Sequence, residues 1–137
     1  MKNSENSSAI VRDYFNAFQN GNMDKVLDLF HENCLIVSVR DEERKKDQLH
    51  GTYRTKEEAK QFIANIVNSF TTKEFNVERI IAEGNVVFAN GKFSHEVKAT
   101  GKLFMSDWAQ VSIIEGGKIK EYRFYEDSAA FVKTSQN

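Results

Sequence analysis

Residues 55–83 read TKEEAKQFIANIVNSFTTKEFNVERIIAE, and the period of the apolar residues changes partway along the stretch. Ala59, Phe62, Ile63, Ile66, Val67 and Phe70 recur at steps of three and four, which is one broad stripe of a helix. Thr55 and Glu58 supply a T-x-x-E capping box at its start. Beyond Thr72 the helical spacing stops. Phe75–Glu83 is a strand by residue type, and Val86–Lys98, Leu103–Ile114 and Ile119–Tyr125 follow in the same style. The breaks between them are Gly84-Asn85, Thr100-Gly101 and Gly116-Gly117, which are hairpin signals and imply a mainly antiparallel sheet.

Toward the N-terminus, Ile10, Val11, Tyr14, Phe15 and Phe18 predict a helix over Ser8–Gln19, with Ser7 or Ser8 as N-cap and Gly21 to end it. Met23, Val26, Leu27 and Phe30 predict a second helix over Asn22–Phe30. CLIVSV, Cys34–Val39, is too short and too β-branched for a helix and reads as a strand. Arg40–Asp47 mixes both charges without apolar spacing, as a solvated loop does, and Lys133–Asn137 reads as a frayed tail. Three helices followed by a long meander is the α+β pattern, with the helices gathered on one face of a curved sheet.

The chain of 137 residues suits one domain. Its 19 Lys and Arg against 20 Asp and Glu leave a formal charge of −1, so no positive field gathers nucleic acid. A single cysteine, Cys34, excludes an internal disulfide and any multi-cysteine metal site. Met1–Ser8 is polar, unlike a signal peptide, and no apolar run reaches membrane-spanning length, so the expectation is a cytoplasmic protein without membrane contact. Eleven phenylalanines are enough to line a cavity as well as fill a core. No phosphate-cradling glycine loop is visible, and no cofactor is expected.

Three stretches carry a resemblance: YFNAFQNGNMDKVLDLFHENC (Tyr14–Cys34), HGTYRTKEEAKQFI (His50–Ile63) and EGGKIKEYRFYED (Glu115–Asp127). Together with the order of elements they resemble the SnoaL-like and ketosteroid-isomerase-like branch of the nuclear transport factor 2-like superfamily, over about residues 8–131. The resemblance implies a cone: a curved antiparallel sheet with three helices closing its concave face over an apolar pocket. It also implies a homodimer formed through the outer sheet face. The activities implied are isomerase, dehydratase or cyclase chemistry by proton transfer on a small apolar or cyclic molecule, or ligand binding and association without turnover. Ketosteroid isomerase uses an Asp base facing an oxyanion hole of a Tyr and a protonated Asp. Laid on this chain without gaps, that arrangement puts Tyr14 at the Tyr, Ser38 at the base and Ala109 at the second donor. Serine is not basic at neutral pH and alanine donates nothing, so steroid-type isomerisation is not expected.

Strand parity supplies the remaining candidates, because alternate side chains share a face. Tyr122 and Phe124 point inward on the last strand, with Glu126 at its end, and Val87, Ala89, Gly91, Phe93, His95 and Val97 form the apolar face of Val86–Lys98. With Phe18, Ser38, Phe62, Ile66 and Ala109, the residues Phe93, Tyr122 and Phe124 make the expected ligand wall. A hairpin pairing Ala99 with Leu103 places His95 opposite Asp107, a pair able to act as a general base, or to serve as a structural cross-strand ion pair. A two-residue loop would oppose His95 to Ser106 instead. Tyr14 and Glu126 are the accompanying donor and acid or base. In this register Trp108 and Gln110 face outward, toward the partner subunit. His50 is a pocket-rim residue, and His31 closes the second helix, three residues from Cys34, without the ligands a metal site needs.

Overall fold

The computed structural model describes residues 2–137; Met1, the first residue of the polar start, lies outside them. Four helices and six strands follow in the order α1 (Lys2–Gln19), α2 (Met23–Asp28), β1 (Phe30–Ser38), β2 (Gly51–Arg54), α3 (Thr55–Ser69), β3 (Phe70–Glu83), β4 (Val86–Val97), β5 (Leu103–Glu115), β6 (Lys118–Glu126) and α4 (Ser128–Thr134). The strands form one sheet, ordered β2-β1-β6-β5-β4-β3. Only β1 and β6 run parallel; every other neighbouring pair is antiparallel. The architecture is α+β, a curved open sheet with helices against its concave face.

Local chemistry explains most boundaries. Helix α1 begins earlier than its apolar spacing predicts because its polar first turns lie on the β3–β4 turn, where the Gly84 amide donates to Ser4 Oγ at 2.8 Å. Asn22 caps α2 by accepting from the Lys25 amide. The predicted capping box of α3 forms by half and one residue early: Glu58 accepts from the Arg54 amide at 2.8 Å, while Thr55 sits at φ 67° with no cap bond from its hydroxyl. Gly116 and Gly117, at φ 58° and 74°, give the β5–β6 hairpin the two left-handed residues of a tight primed turn.

Four features depart from the sequence reading. The short strand β2 and the helix α4 were not anticipated; the first has four residues and the second has seven. His31 lies on β1, not at a helix end, and its Nε2 is 3.7 Å from Glu115. Arg40–Asp47 is a loop, but the side chain of Arg44 is only 8% exposed, with the guanidinium 3.4 Å over the Tyr53 ring. Asn65 on α3 fastens this loop, donating to the Lys46 and Gln48 carbonyls and to the Tyr53 hydroxyl.

The β4–β5 register is the largest correction. The connection is four residues long, Lys98–Gly101, closed by the Val97 amide on the Lys102 carbonyl at 2.9 Å. His95 therefore stands opposite Phe104, and Asp107 opposite Lys92. The shift by an odd number of residues exchanges the faces of β5. Phe104, Trp108, Gln110, Ser112 and Ile114 are buried against the helices, while Leu103, Met105, Asp107 and Ala109 are exposed on the outer face.

Candidate functional site

Helices α1 and α3 do not close down fully on the sheet, and a cavity of about 520 Å³ remains between them. Its wall is aromatic because the inward parity of the strands and the inner faces of both helices carry large rings. Phe15 and Phe18 come from α1, Phe62 from α3, Phe70 and Phe75 from β3, and Phe124 from β6. Trp108 lies behind them, stacked with Phe75 at 5.0 Å and with Phe124 at 5.5 Å, and donates through Nε1 to the Asn76 carbonyl. This passage of the indole over β4 is possible only because residue 91 is glycine. A Cβ there would stand 1.8 Å from the Asn76 carbonyl oxygen and 2.9 Å from the indole.

Against that apolar wall stand a few polar groups. The hydroxyls of Tyr14 and Tyr122 meet at 3.2 Å, both fully desolvated. Burial pushes both phenols up, so both remain neutral donors at physiological pH. One hydroxyl donates to the other and the second keeps its proton for a ligand; with Tyr14 as donor, the free proton is that of Tyr122. One row across the sheet, Gly51, Ser38, Phe124 and Gln110, runs below this pair. Ser38 and Gln110 both line the cavity, and Gln110 Nε2 donates to Ser112 Oγ at 3.2 Å.

Two residues beyond Phe124 on β6, in the next row of the sheet, Glu126 lines the cavity, and its Oε2 lies 3.2 Å from His50 Nε2; both side chains are more than nine-tenths buried. His50 reaches this place because β2 pairs with β1 and β1 with β6, so the residue before Gly51 falls beside the end of β6. Phe131 of α4 covers the imidazole, with ring centres 4.3 Å apart. The contact has hydrogen-bond distance without hydrogen-bond alignment, and neither atom has another partner. A carboxyl and an imidazole held this way can exchange a proton and still turn toward a bound molecule.

Of the residues expected from sequence, Tyr14, Phe18, Ser38, Phe62, Ile66, His95, Tyr122, Phe124 and Glu126 are on the cavity wall. Phe93 lies in the core behind His95, with ring centres 4.2 Å apart. Ala109 and Asp107 do not belong to the site: Ala109 is exposed on the outer face, and the Asp107 side chain, 83% exposed, pairs with Lys92 at 3.4 Å. The inner position belongs to Gln110 and not to Ala109, and its amide, unlike alanine, carries N–H donors. His95 has no carboxylate beside it. Its ring is stacked between Phe70 and Phe93, its Nδ1 is 3.1 Å from Thr72 Oγ1, and burial pushes its pKa down to about 4. Trp108 and Gln110 are 3% and 1% exposed, so neither is available to a partner subunit. The histidine that does meet a carboxylate is His50, whose sequence signal was only its place before a glycine and a short strand. Among the described residues no three His, Cys, Asp or Glu side chains are grouped to hold a metal, and no helix is long and apolar enough to cross a membrane.

Comparison with known proteins agrees with this geometry. The model of the SnoaL-like domain matches residues 11–122. The chain belongs to that family. No curated protein matches the sequence. Among solved structures, this SnoaL-like protein is similar to an NTF2-like protein from Burkholderia xenovorans, at 20% identity and a TM-score of 0.83 over 97% of this chain and 98% of the other. It is also similar to a candidate isomerase from Bacillus subtilis (16% identity, TM-score 0.80, 98% and 95% covered). A candidate polyketide cyclase from Pseudomonas putida is similar at 17% identity, with a TM-score of 0.76 over 93% and 96% of the two chains. At these identities the likeness is one of fold.

Proposed function

We propose that this SnoaL-like protein binds a small apolar or cyclic molecule in the cavity and moves a proton on it, as an isomerase, dehydratase or cyclase does. The observation that carries the reading is the buried Glu126–His50 pair on the wall of an aromatic cavity that also holds an uncommitted tyrosine hydroxyl. In this reading the Glu126 carboxylate takes a proton from carbon beside a carbonyl, and the electron pair moves onto the carbonyl oxygen. Tyr122, strengthened as a donor by the bond it accepts from Tyr14, holds that oxygen. His50 orients the carboxylate and relays the proton. His95 is a neutral part of the wall, because a group with its lowered pKa is too weak a base near pH 7.

The test needs no identified substrate. With 2-tetralone in D2O, followed by proton NMR, the protein should speed exchange of the α-hydrogens, and Glu126→Gln should remove about 10²-fold or more of that acceleration. Binding of the ketone without faster exchange would make this a ligand-holding module instead.

We also propose that two copies pair through the outer sheet face. Ile81, Phe88, Leu103 and Met105 stand there between 50% and 64% exposed, flanked by the Lys92–Asp107 pair. These replace Trp108 and Gln110 as the contact residues. A cytoplasmic setting fits the single unpaired thiol of Cys34.

A further inference from the structure

Gln110 is a fully buried polar side chain of the cavity whose chemistry the proton transfer does not use. It is 1% exposed, it lines the cavity, and its Oε1 has no partner. The amide is not free to satisfy itself. Its Nε2 spends one of its two N–H groups on Ser112 Oγ, and Ser112 is itself fully buried. That bond leaves the carbonyl oxygen unpaired. Buried acceptors are rarely left unpaired, because each forfeits its bond to water on folding. The second unpaired acceptor of the cavity wall is Glu126 Oε2. Gln110 pairs with Phe124 and Trp108 with Glu126 on the same two strands, so the two acceptors are diagonal neighbours on the inner face. Such neighbours lie roughly 7–8 Å apart at the backbone, within reach of one ring-sized ligand.

We propose that Gln110 is the specificity-determining residue of the cavity, and that it selects cyclic ligands carrying a hydroxyl or N–H donor over equally shaped ligands that only accept. The proposal rests on the cavity being a ligand site and deepens that reading: the ligand class becomes hydroxylated or enolic rings. Tyr122 supplies a donor for the ligand's carbonyl, and Gln110 supplies an acceptor for its hydroxyl. A plain ketone or hydrocarbon leaves the Gln110 carbonyl unpaired in the complex, which is the condition under which a binding site discriminates most strongly.

Three probes of matched shape test this: 2-naphthol, 2-methoxynaphthalene and 2-methylnaphthalene, titrated by calorimetry. The wild-type protein should prefer 2-naphthol to either analogue by about ten- to a hundredfold. Gln110→Met, which keeps the length of the side chain, should bring that preference close to one, while Phe88→Glu on the outer sheet face should leave it in place. The side-chain amide resonances of Gln110 in the wild-type protein give a readout that needs no variant: they should move with 2-naphthol and stay with 2-methylnaphthalene. Equal affinity for all three probes would overturn the role of Gln110 and leave the cavity reading standing. A preference that survives Gln110→Met would do the same, as would an equal loss for all three probes, the mark of an ordered water on Oε1. If none of the probes binds, the ligand-site reading itself falls, and this inference with it.

Discussion

His95 should make the protein less stable in mild acid, by an amount its surroundings fix. The imidazole lies between the rings of Phe70 and Phe93, whose centres are 4.6 and 4.2 Å away, and its one polar contact is Thr72 Oγ1. Burial pushes its pKa from 6.5 down to about 4. The unfolded chain therefore takes up a proton at His95 near pH 6.5, while the folded chain resists until about pH 4. Stability from this group is present above pH 6.5 and is lost as the pH falls toward 4. Over the step from pH 7 to pH 5 the linkage amounts to about 2 kcal/mol. Urea unfolding followed by Trp108 fluorescence at the two pH values measures the total change, and His95→Phe isolates the share of this residue, because the ring keeps its place in the stack and cannot titrate. The difference between the two pH values should shrink by about 2 kcal/mol in the variant. Identical pH dependence in both proteins, or an imidazole titration midpoint near 6.5 by NMR, would refute the argument and return His95 to the list of possible bases.

Three further outcomes follow from the same geometry. Gly91→Ala forces a methyl group onto the Asn76 carbonyl and the Trp108 ring, and should cost about 3 kcal/mol, or a melting temperature lower by about 10 °C. Trp108→Glu should unfold the chain rather than dissociate it, because the charge would be buried among Phe15, Phe75 and Phe124; Phe88→Glu should instead give a folded monomer by sedimentation with unchanged tryptophan emission. Tyr122→Phe should slow the α-hydrogen exchange of 2-tetralone by about 10²-fold, and Tyr14→Phe by less, since Tyr14 acts through the hydroxyl of Tyr122.

How much of this was legible in the sequence depends on whether local chemistry or long-range pairing decided it. The stripe of α3 was legible because Ala59, Phe62, Ile63, Ile66 and Phe70 recur at helical steps, and Ala59, Phe62 and Ile63 are buried. The inward parity of β4 and β6 was legible because one face of each is clearly the more apolar or aromatic. Neither β2 nor α4 has enough residues to establish a period, although Asp127 before Ser128 does cap α4 by accepting from the Ala130 amide. The His50–Glu126 contact was beyond reach because it joins residues 50 and 126 through two strand pairings, one of them parallel. Nine of the twelve expected site residues reached the cavity wall, seven of them because parity on β6 and periodicity on α1 and α3 survive errors elsewhere; the other two are Ser38 on β1 and His95 on β4.

The composition of strand β5 points the wrong face inward for a reason tied to both proposals. Between Leu103 and Ile114 its inner face carries Phe104, Ser106, Trp108, Gln110, Ser112 and Ile114, and its outer face Leu103, Met105, Asp107, Ala109, Val111 and Ile113. Counted as letters, the outer face is the more apolar: it has one polar residue where the inner face has three. Placing the apolar face inward is sound where burial alone shapes a strand. Here the inner face has given up apolar character to Gln110 and Ser112, which the proposed ligand site uses, while the outer face keeps the composition of a buried surface, as the proposed pairing of two copies requires. The same composition therefore explains the inverted register and motivates both proposals. It also separates them experimentally. Gln110→Met should change the choice of ligand without changing the mass in solution, and Phe88→Glu should change the mass without changing that choice.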